Sequence, residues 1–128
     1  MRKTHMIALG ALSLFNLPAE AATLYTPPLN AVTPDRFKCS VVNVSRKELL
    51  VELSIYSSMH LDSGPILLDN PRLRPGEIFD MKVGGGSAPE GIPSYCKFKV
   101  INGSAKDVRA LGSVYTTDGS DKVTIPAN

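Results

Sequence analysis

Apolar and polar residues alternate with a period of two along most of the chain. The run "FKCSVV" places Phe37, Cys39 and Val41 on one face, and the runs "LLVELSIYS" and "YCKFKV" alternate in the same way. Consecutive side chains of a β-strand point to opposite faces, so this period is typical of strands with one buried face. No stretch beyond residue 21 has the spacing of an amphipathic helix over three turns. The pattern therefore predicts an all-β fold.

Turn-forming residues separate these runs. The segments "NVSRKE", "NGSAKD" and "TDGSD" each follow an alternating run, and Pro75-Gly76 is a strong turn pair. The Gly-, Pro- and Ser-rich stretch "VGGGSAPEGIPS" predicts a long loop. Strands spaced by about ten residues with turns between them are typical of an antiparallel sandwich or barrel.

The first 21 residues have the three parts of a secretory signal peptide. Arg2 and Lys3 are basic, an apolar run extends from Met6 to Leu17, and Ala19-Glu20-Ala21 is a small-x-small cleavage pattern. The alternative is a buried N-terminal helix; the run is too short to span a bilayer. We expect cleavage near Ala21-Ala22, a periplasmic or secreted protein, one domain over residues 22–128 and no membrane-spanning segment after cleavage.

The charge of the chain is nearly balanced. The formal net charge is +2, and loss of the predicted signal changes it by one unit. There is no run of like charges and no basic arm. Since nucleic-acid binding depends on a strong positive field, we expect no nucleic-acid partner.

Both cysteines, Cys39 and Cys96, follow the predicted signal. Cys39 shares its face with Phe37 and Val41, and Cys96 shares its face with apolar neighbours in "CKFKV", so both point inward. An exported chain with an even number of cysteines usually forms disulfides. The prediction is a Cys39–Cys96 bridge that joins two sheets through the core. The alternative is two free thiols that bind a metal.

The segments "FKCSVVNVS", "LRPGE" and "SYCKFKV" together resemble an immunoglobulin-like or fibronectin type III-like β-sandwich. The design is also similar to that of small exported bacterial proteins. The resemblance implies a single antiparallel sandwich of about seven strands. It further implies that "YCKFKV" lies between "LLVELSIYS" and "VRALGSVYT". The chain lacks tryptophan, and Tyr95 stands one residue before Cys96 rather than two, which departs from the family pattern.

In this arrangement the outward residues of three neighbouring strands form one candidate binding face. Its members are tyrosines and basic residues: Tyr56, Tyr95, Lys97, Lys99, Arg109 and Tyr115. Tyrosine and arginine are enriched at binding surfaces because they combine a large contact area with a polar group. Such a face would suit a partner protein or an anionic polymer of the cell envelope. The alternative is an ordinary solvated sheet surface.

Residues for catalysis or metal binding are scarce. His60 is the only histidine beyond the predicted signal, the chain has no G-x-S-x-G motif, and "GGGSAPEG" lacks the lysine of a phosphate-binding loop. Met59-His60 could bind a soft metal, or the two residues could simply be exposed in a loop. No carboxylate pair stands out. We therefore expect no enzyme activity, no cofactor and no metal site.

The predicted function is an exported, non-enzymatic binding or adaptor module. One alternative is a structural subunit that assembles a cell-surface complex by adding a strand at an open sheet edge. A metal carrier or an enzyme is a third and less favoured alternative.

Overall fold

A computed structural model of the chain describes residues 21–57, 66–67, 72–84 and 91–128. In these residues the fold consists of two antiparallel β-sheets, which we call sheet I and sheet II. The strands are β1 (Ala22–Tyr25), β2 (Leu29–Ala31), β3 (Arg36–Asn43), β4 (Leu49–Ser57), β5 (Ile66–Leu67), β6 (Arg72–Leu73), β7 (Ile78–Gly84), β8 (Ile92–Val100), β9 (Val108–Tyr115) and β10 (Asp121–Pro126). The helical structure in these ranges is one 3-10 turn, Ala105–Asp107. The prediction of an antiparallel all-β fold is confirmed.

Sheet I is built around β8 and β4, which pair along nearly their whole length, and β1 and β2 lie on the other side of β8. The short strands β5 and β6 pair with the far side of β4. Sheet II has the order β10-β9-β3-β7. The described strands outnumber the seven expected because four short segments pair onto the edges of sheet I.

The core lies between the sheets and is lined by the inward residues of the alternating runs. The largest fully buried side chains are Phe37, Phe98, Leu49, Leu53, Ile55, Leu73, Val41, Val51 and Val100. Cys39 on β3 and Cys96 on β8 form a disulfide across this core, and both residues are fully buried. The predicted bridge between the sheets is confirmed. A disulfide is compatible with an extracellular or periplasmic protein, because those compartments are oxidising.

A buried asparagine organises the turns at one end of the sandwich. The Asn43 side chain, at the end of β3, has no exposed surface. Its Nδ2 donates to the carbonyl oxygens of Lys47 and Leu73, at 2.8 and 2.9 Å. Its Oδ1 accepts from the backbone N–H and the hydroxyl of Ser45. Asn43 therefore connects the β3–β4 turn to β6 and has every side-chain polar atom satisfied.

The position of β9 differs from the arrangement expected from the resemblance. β9 pairs with β3 in sheet II over eight residue pairs, from Arg36 opposite Tyr115 to Asn43 opposite Val108. The far side of β8, where β9 was expected, is occupied by β1 and β2. The placement of "YCKFKV" between "LLVELSIYS" and "VRALGSVYT" is therefore wrong. The connection from β8 through the 3-10 turn carries the chain from one sheet to the other.

Several predictions concern residues outside the described ranges. These residues are 1–20 of the predicted signal peptide 1–21, the Met59-His60 pair and residues 85–90 of the Gly-rich loop. Within the described ranges, no helix has the length and apolar character needed to cross a membrane.

Candidate functional site

The outer surface of sheet I gathers three tyrosines and two lysines on β1, β4 and β8. We call this surface the tyrosine face; it consists of Tyr25, Tyr56, Tyr95, Lys97 and Lys99. The strand registers bring the five together, because Tyr56 lies opposite Tyr95 and Tyr25 lies opposite Lys97. Their inward neighbours on the same strands, among them Cys96 and Phe98, are fixed in the core. The core therefore determines which side chains point outward.

Aromatic stacking orders one end of the tyrosine face. The rings of Tyr56 and Tyr95 are stacked, with centroids 5.0 Å apart and planes 6° from parallel. Such a pair contributes roughly 0.5–1.5 kcal/mol beyond the area it buries. Both residues are half-buried, so part of each ring remains accessible. The stack is a rigid platform that needs little further ordering when a partner binds.

Positive charge lies beside this platform. The Lys97 ammonium is 6.0 Å from the centre of the Tyr25 ring, within cation–π range. Tyr25 is itself 47% exposed. Lys99 is exposed and lies opposite Glu52 on β4 and Thr23 on β1. Since Glu52 is the one carboxylate opposite these two lysines, the tyrosine face has a positive local charge.

The structure divides the predicted binding face between the two sheets. Tyr56, Tyr95, Lys97 and Lys99 lie together on sheet I, whereas Arg109 and Tyr115 lie on β9 in sheet II. Tyr25 was missed, because "ATLY" was not recognised as a strand. The alternation of Leu24 and Tyr25 could have identified it, but four residues are a weak signal.

Tyr115 is at the centre of a separate group on the outer side of sheet II. The ammonium groups of Lys38 and Lys82 both lie over its ring, at 5.4 and 5.6 Å from the ring centre. Lys38 also forms a salt bridge with Asp121 at 3.1 Å. Tyr115 is only 8% exposed. This ring therefore packs under lysine side chains and offers little surface to a partner.

Among the described residues, β7 forms one edge of sheet II and has few of the features that protect an edge strand. It pairs with β3 over seven consecutive residue pairs without a bulge, and it contains no proline. The opposite edge strand, β10, has a register shift after Asp121 and ends in Pro126. Bulges, prolines, very short strands and charged side chains all discourage edge pairing. Of these features β7 has only the charged side chains, Asp80 and Lys82. The edges of sheet I have such devices, namely Pro27-Pro28 between β1 and β2, and the two-residue strands β5 and β6.

A shallow depression of about 320 Å³ lies near the β6–β7 turn. It is lined by charged residues and one aromatic ring: Glu48, Arg72, Arg74, Glu77 and Phe79. Glu77 is bound locally, since it accepts a hydrogen bond from the Arg74 backbone. Arg72 and Glu48 form an ion pair here, which has a separation of 3.9 Å and is largely exposed. The described lining residues include no serine, cysteine or histidine.

The described ranges contain no cluster of three or more histidine, cysteine or acidic residues that could hold a metal ion. Among the described residues, one ionisable group has a clearly shifted pKa. The Thr116 hydroxyl and the backbone of Ser120 donate to the Asp118 carboxylate, and these bonds lower the pKa of Asp118 to about 2. Asp118 lies in the exposed β9–β10 turn, so its shift reflects turn formation and not an active site.

Comparisons of the chain with protein-family models, curated proteins and solved structures find no match.

Proposed function

We propose that the protein is an exported, non-enzymatic binding or adaptor module of the periplasm or cell envelope, and that it binds through the tyrosine face. The observation that supports this proposal most directly is the stacked Tyr56–Tyr95 pair next to Lys97 and Lys99. The proposal includes cleavage of a signal peptide near Ala21-Ala22. The immunoglobulin-like character of the sandwich remains part of the proposal, and the inter-sheet disulfide supports it.

The partner that suits this face carries negative charge. It is a protein with an acidic surface or an anionic envelope polymer, because the lysines provide attraction and the tyrosines provide contact area. Screening by salt weakens interactions between exposed charges. Binding should therefore decrease as ionic strength rises.

Binding can be tested by crosslinking and capture from the native exported fraction, with polygalacturonate as a defined anionic probe. The variant Lys97→Glu with Lys99→Glu should lose the captured partner or the polymer. Arg46→Glu with Lys106→Glu makes the same change in charge at exposed positions away from the face and should retain binding. Equal binding by both variants, or no binding by the unmodified protein to either target, would contradict the proposal.

A second candidate function is assembly by strand addition at β7. The observation in its favour is the long and regular edge of β7, where Ile78 is 63% exposed and the inward residues Phe79 and Met81 are only half-buried. An added strand would pair with the free backbone groups of β7 and cover these side chains.

Hydrogen exchange tests this candidate directly. In the isolated monomer, the β7 amides that do not bond to β3 should exchange quickly. In the assembled form recovered from the envelope they should be protected. Identical exchange in the two forms would argue against strand addition at β7.

A further inference from the structure

We propose that the partner of β7 is β7 of a second copy of this chain. The two strands would run antiparallel, with a twofold axis at Met81, and would join two copies of sheet II into one continuous sheet. This inference rests on the second proposed function, assembly by strand addition, and adds the partner and the register. A twofold contact requires a surface that is complementary to itself. The sequence of β7, "IFDMKVG", meets that requirement.

The charges on the outer side of β7 are complementary in this register. Asp80 would lie opposite the partner's Lys82, and the symmetry repeats the pair on the other side of the axis. Opposite charges directly across two strands stabilise the pairing, and like charges destabilise it. Sliding one strand by two residues places Asp80 opposite the partner's Asp80, or Lys82 opposite the partner's Lys82. Charge therefore favours the register centred on Met81 over both neighbouring registers.

Among the described residues of a single chain, neither Asp80 nor Lys82 lies opposite a residue of opposite charge. Lys82 lies opposite Lys38 of β3, a like charge that already has Asp121 as its ion-pair partner. Asp80 lies opposite Ser40. Within the described part of the chain, neither Asp80 nor Lys82 has an ion-pair partner. A second copy would supply one for each.

The inner side of β7 is complementary as well. Phe79 would lie opposite the partner's Val83, and Met81 opposite the partner's Met81. Phe79 and Met81 contact the core but remain partly exposed, so a strand at this edge would bury them further. On the outer side, the exposed Ile78 would lie opposite the partner's Gly84, which has space beside its Cα.

The contact is small, so the dimer should be weak. Two paired seven-residue strands bury less than the roughly 1,200 Å² of a stable protein interface. We therefore expect a dissociation constant of about 10 µM to 1 mM. Sedimentation velocity over this range of protein concentration should show a monomer–dimer equilibrium.

Charge exchange between two variants tests the register. Asp80→Lys places two lysines on the outer side of β7, and Lys82→Asp places two acids there. Each variant alone should dimerise at least about tenfold more weakly than the unmodified protein. An equimolar mixture of the two should recover association, because each acid then faces a lysine. The double variant Asp80→Lys with Lys82→Asp should also dimerise by itself.

Lys106→Asp is the matched control, since it makes the same charge change as Lys82→Asp at an exposed position in the 3-10 turn. Circular dichroism and the intact mass with its disulfide show whether each variant folds. The inference is overturned if the unmodified protein stays monomeric at 1 mM. It is also overturned if the two single variants dimerise normally or fail to associate when mixed. Protected β7 amides in the native assembly, with no self-association in solution, would retain strand addition but assign it to a different partner.

Discussion

Truncation of Asn43 to alanine tests how the structure joins its turns. The asparagine side chain is fully buried and makes four hydrogen bonds to three residues: Ser45, Lys47 and Leu73. Asn43→Ala removes all four. The Leu73 carbonyl should remain near its present position, because β6 pairs with β4.

The size of the stability loss depends on how accessible to water the former hydrogen-bond partners of Asn43 are. The bond to the Leu73 carbonyl is buried, so this oxygen loses its partner without replacement, at a cost of roughly 1–3 kcal/mol. The bonds to Ser45 and Lys47 are partly buried, and water can replace them in part. Together these give an expected loss of about 2–4 kcal/mol, from a total that is typically about 5–15 kcal/mol for a small domain.

Equilibrium unfolding in urea, followed by tyrosine fluorescence with the disulfide intact, measures this loss. The midpoint should decrease by roughly 1–2 M, given the denaturant sensitivity usual for a domain of this size. Asn102→Ala is the matched control. Its amide also bonds to two backbone groups, those of Leu50 and Glu48, but both bonds are exposed. It should cost less than about 1 kcal/mol. A loss for Asn43→Ala no larger than that for Asn102→Ala would refute the assigned role of Asn43.

Three further predictions concern stability. Replacing both Cys39 and Cys96 with alanine should lower the free energy of unfolding by about 4 kcal/mol, because the disulfide joins residues that are 57 positions apart in the chain. An unchanged urea midpoint would contradict this prediction. Asp118, with its pKa lowered from 3.8 to about 2, should stabilise the fold fully above pH 3.8 and lose that contribution as the pH falls towards 2. Asp118→Asn should remove this part of the acid dependence of the melting temperature; an identical pH profile would count against it. Gly112→Ala should lower the free energy of unfolding by about 1–3 kcal/mol, because its Cβ would lie 3.2 Å from the Cys96 sulfur. Gly84→Ala should lower it less, because there is open space at its Cβ. Equal melting temperatures for the two variants would exclude this crowding.

Much of the fold could be predicted from local patterns. The period-two runs identified the long strands β3, β4 and β8, because each buries one face against the core. The disulfide was also predictable, since both cysteines lie on inward faces of such runs. The short strands β1 and β2 were not, because segments of three or four residues carry too little periodicity to be distinguished from a loop.

The candidate site was predictable in part. Alternation correctly placed Tyr95, Lys97 and Lys99 on one face of a strand, and the sandwich resemblance correctly placed the strand of Tyr56 beside it. It could not show that Arg109 and Tyr115 belong to the other sheet, because both sheets have the same alternation. Asn43 was interpreted as an ordinary turn residue, since nothing in "NVSRKE" shows that Leu73, thirty residues away, lies within hydrogen-bonding distance.

The sequence alone was enough to show which residues are extended and which of their side chains point inward, since both depend on neighbours along one strand. It also showed which sulfurs form the disulfide, since the chain has two cysteines and both point inward. The tertiary structure alone decided which strands lie side by side. Pairing depends on how residues far apart in the chain share one core. For that reason, the tyrosine face, the edge position of β7 and the buried role of Asn43 became visible only in the folded molecule.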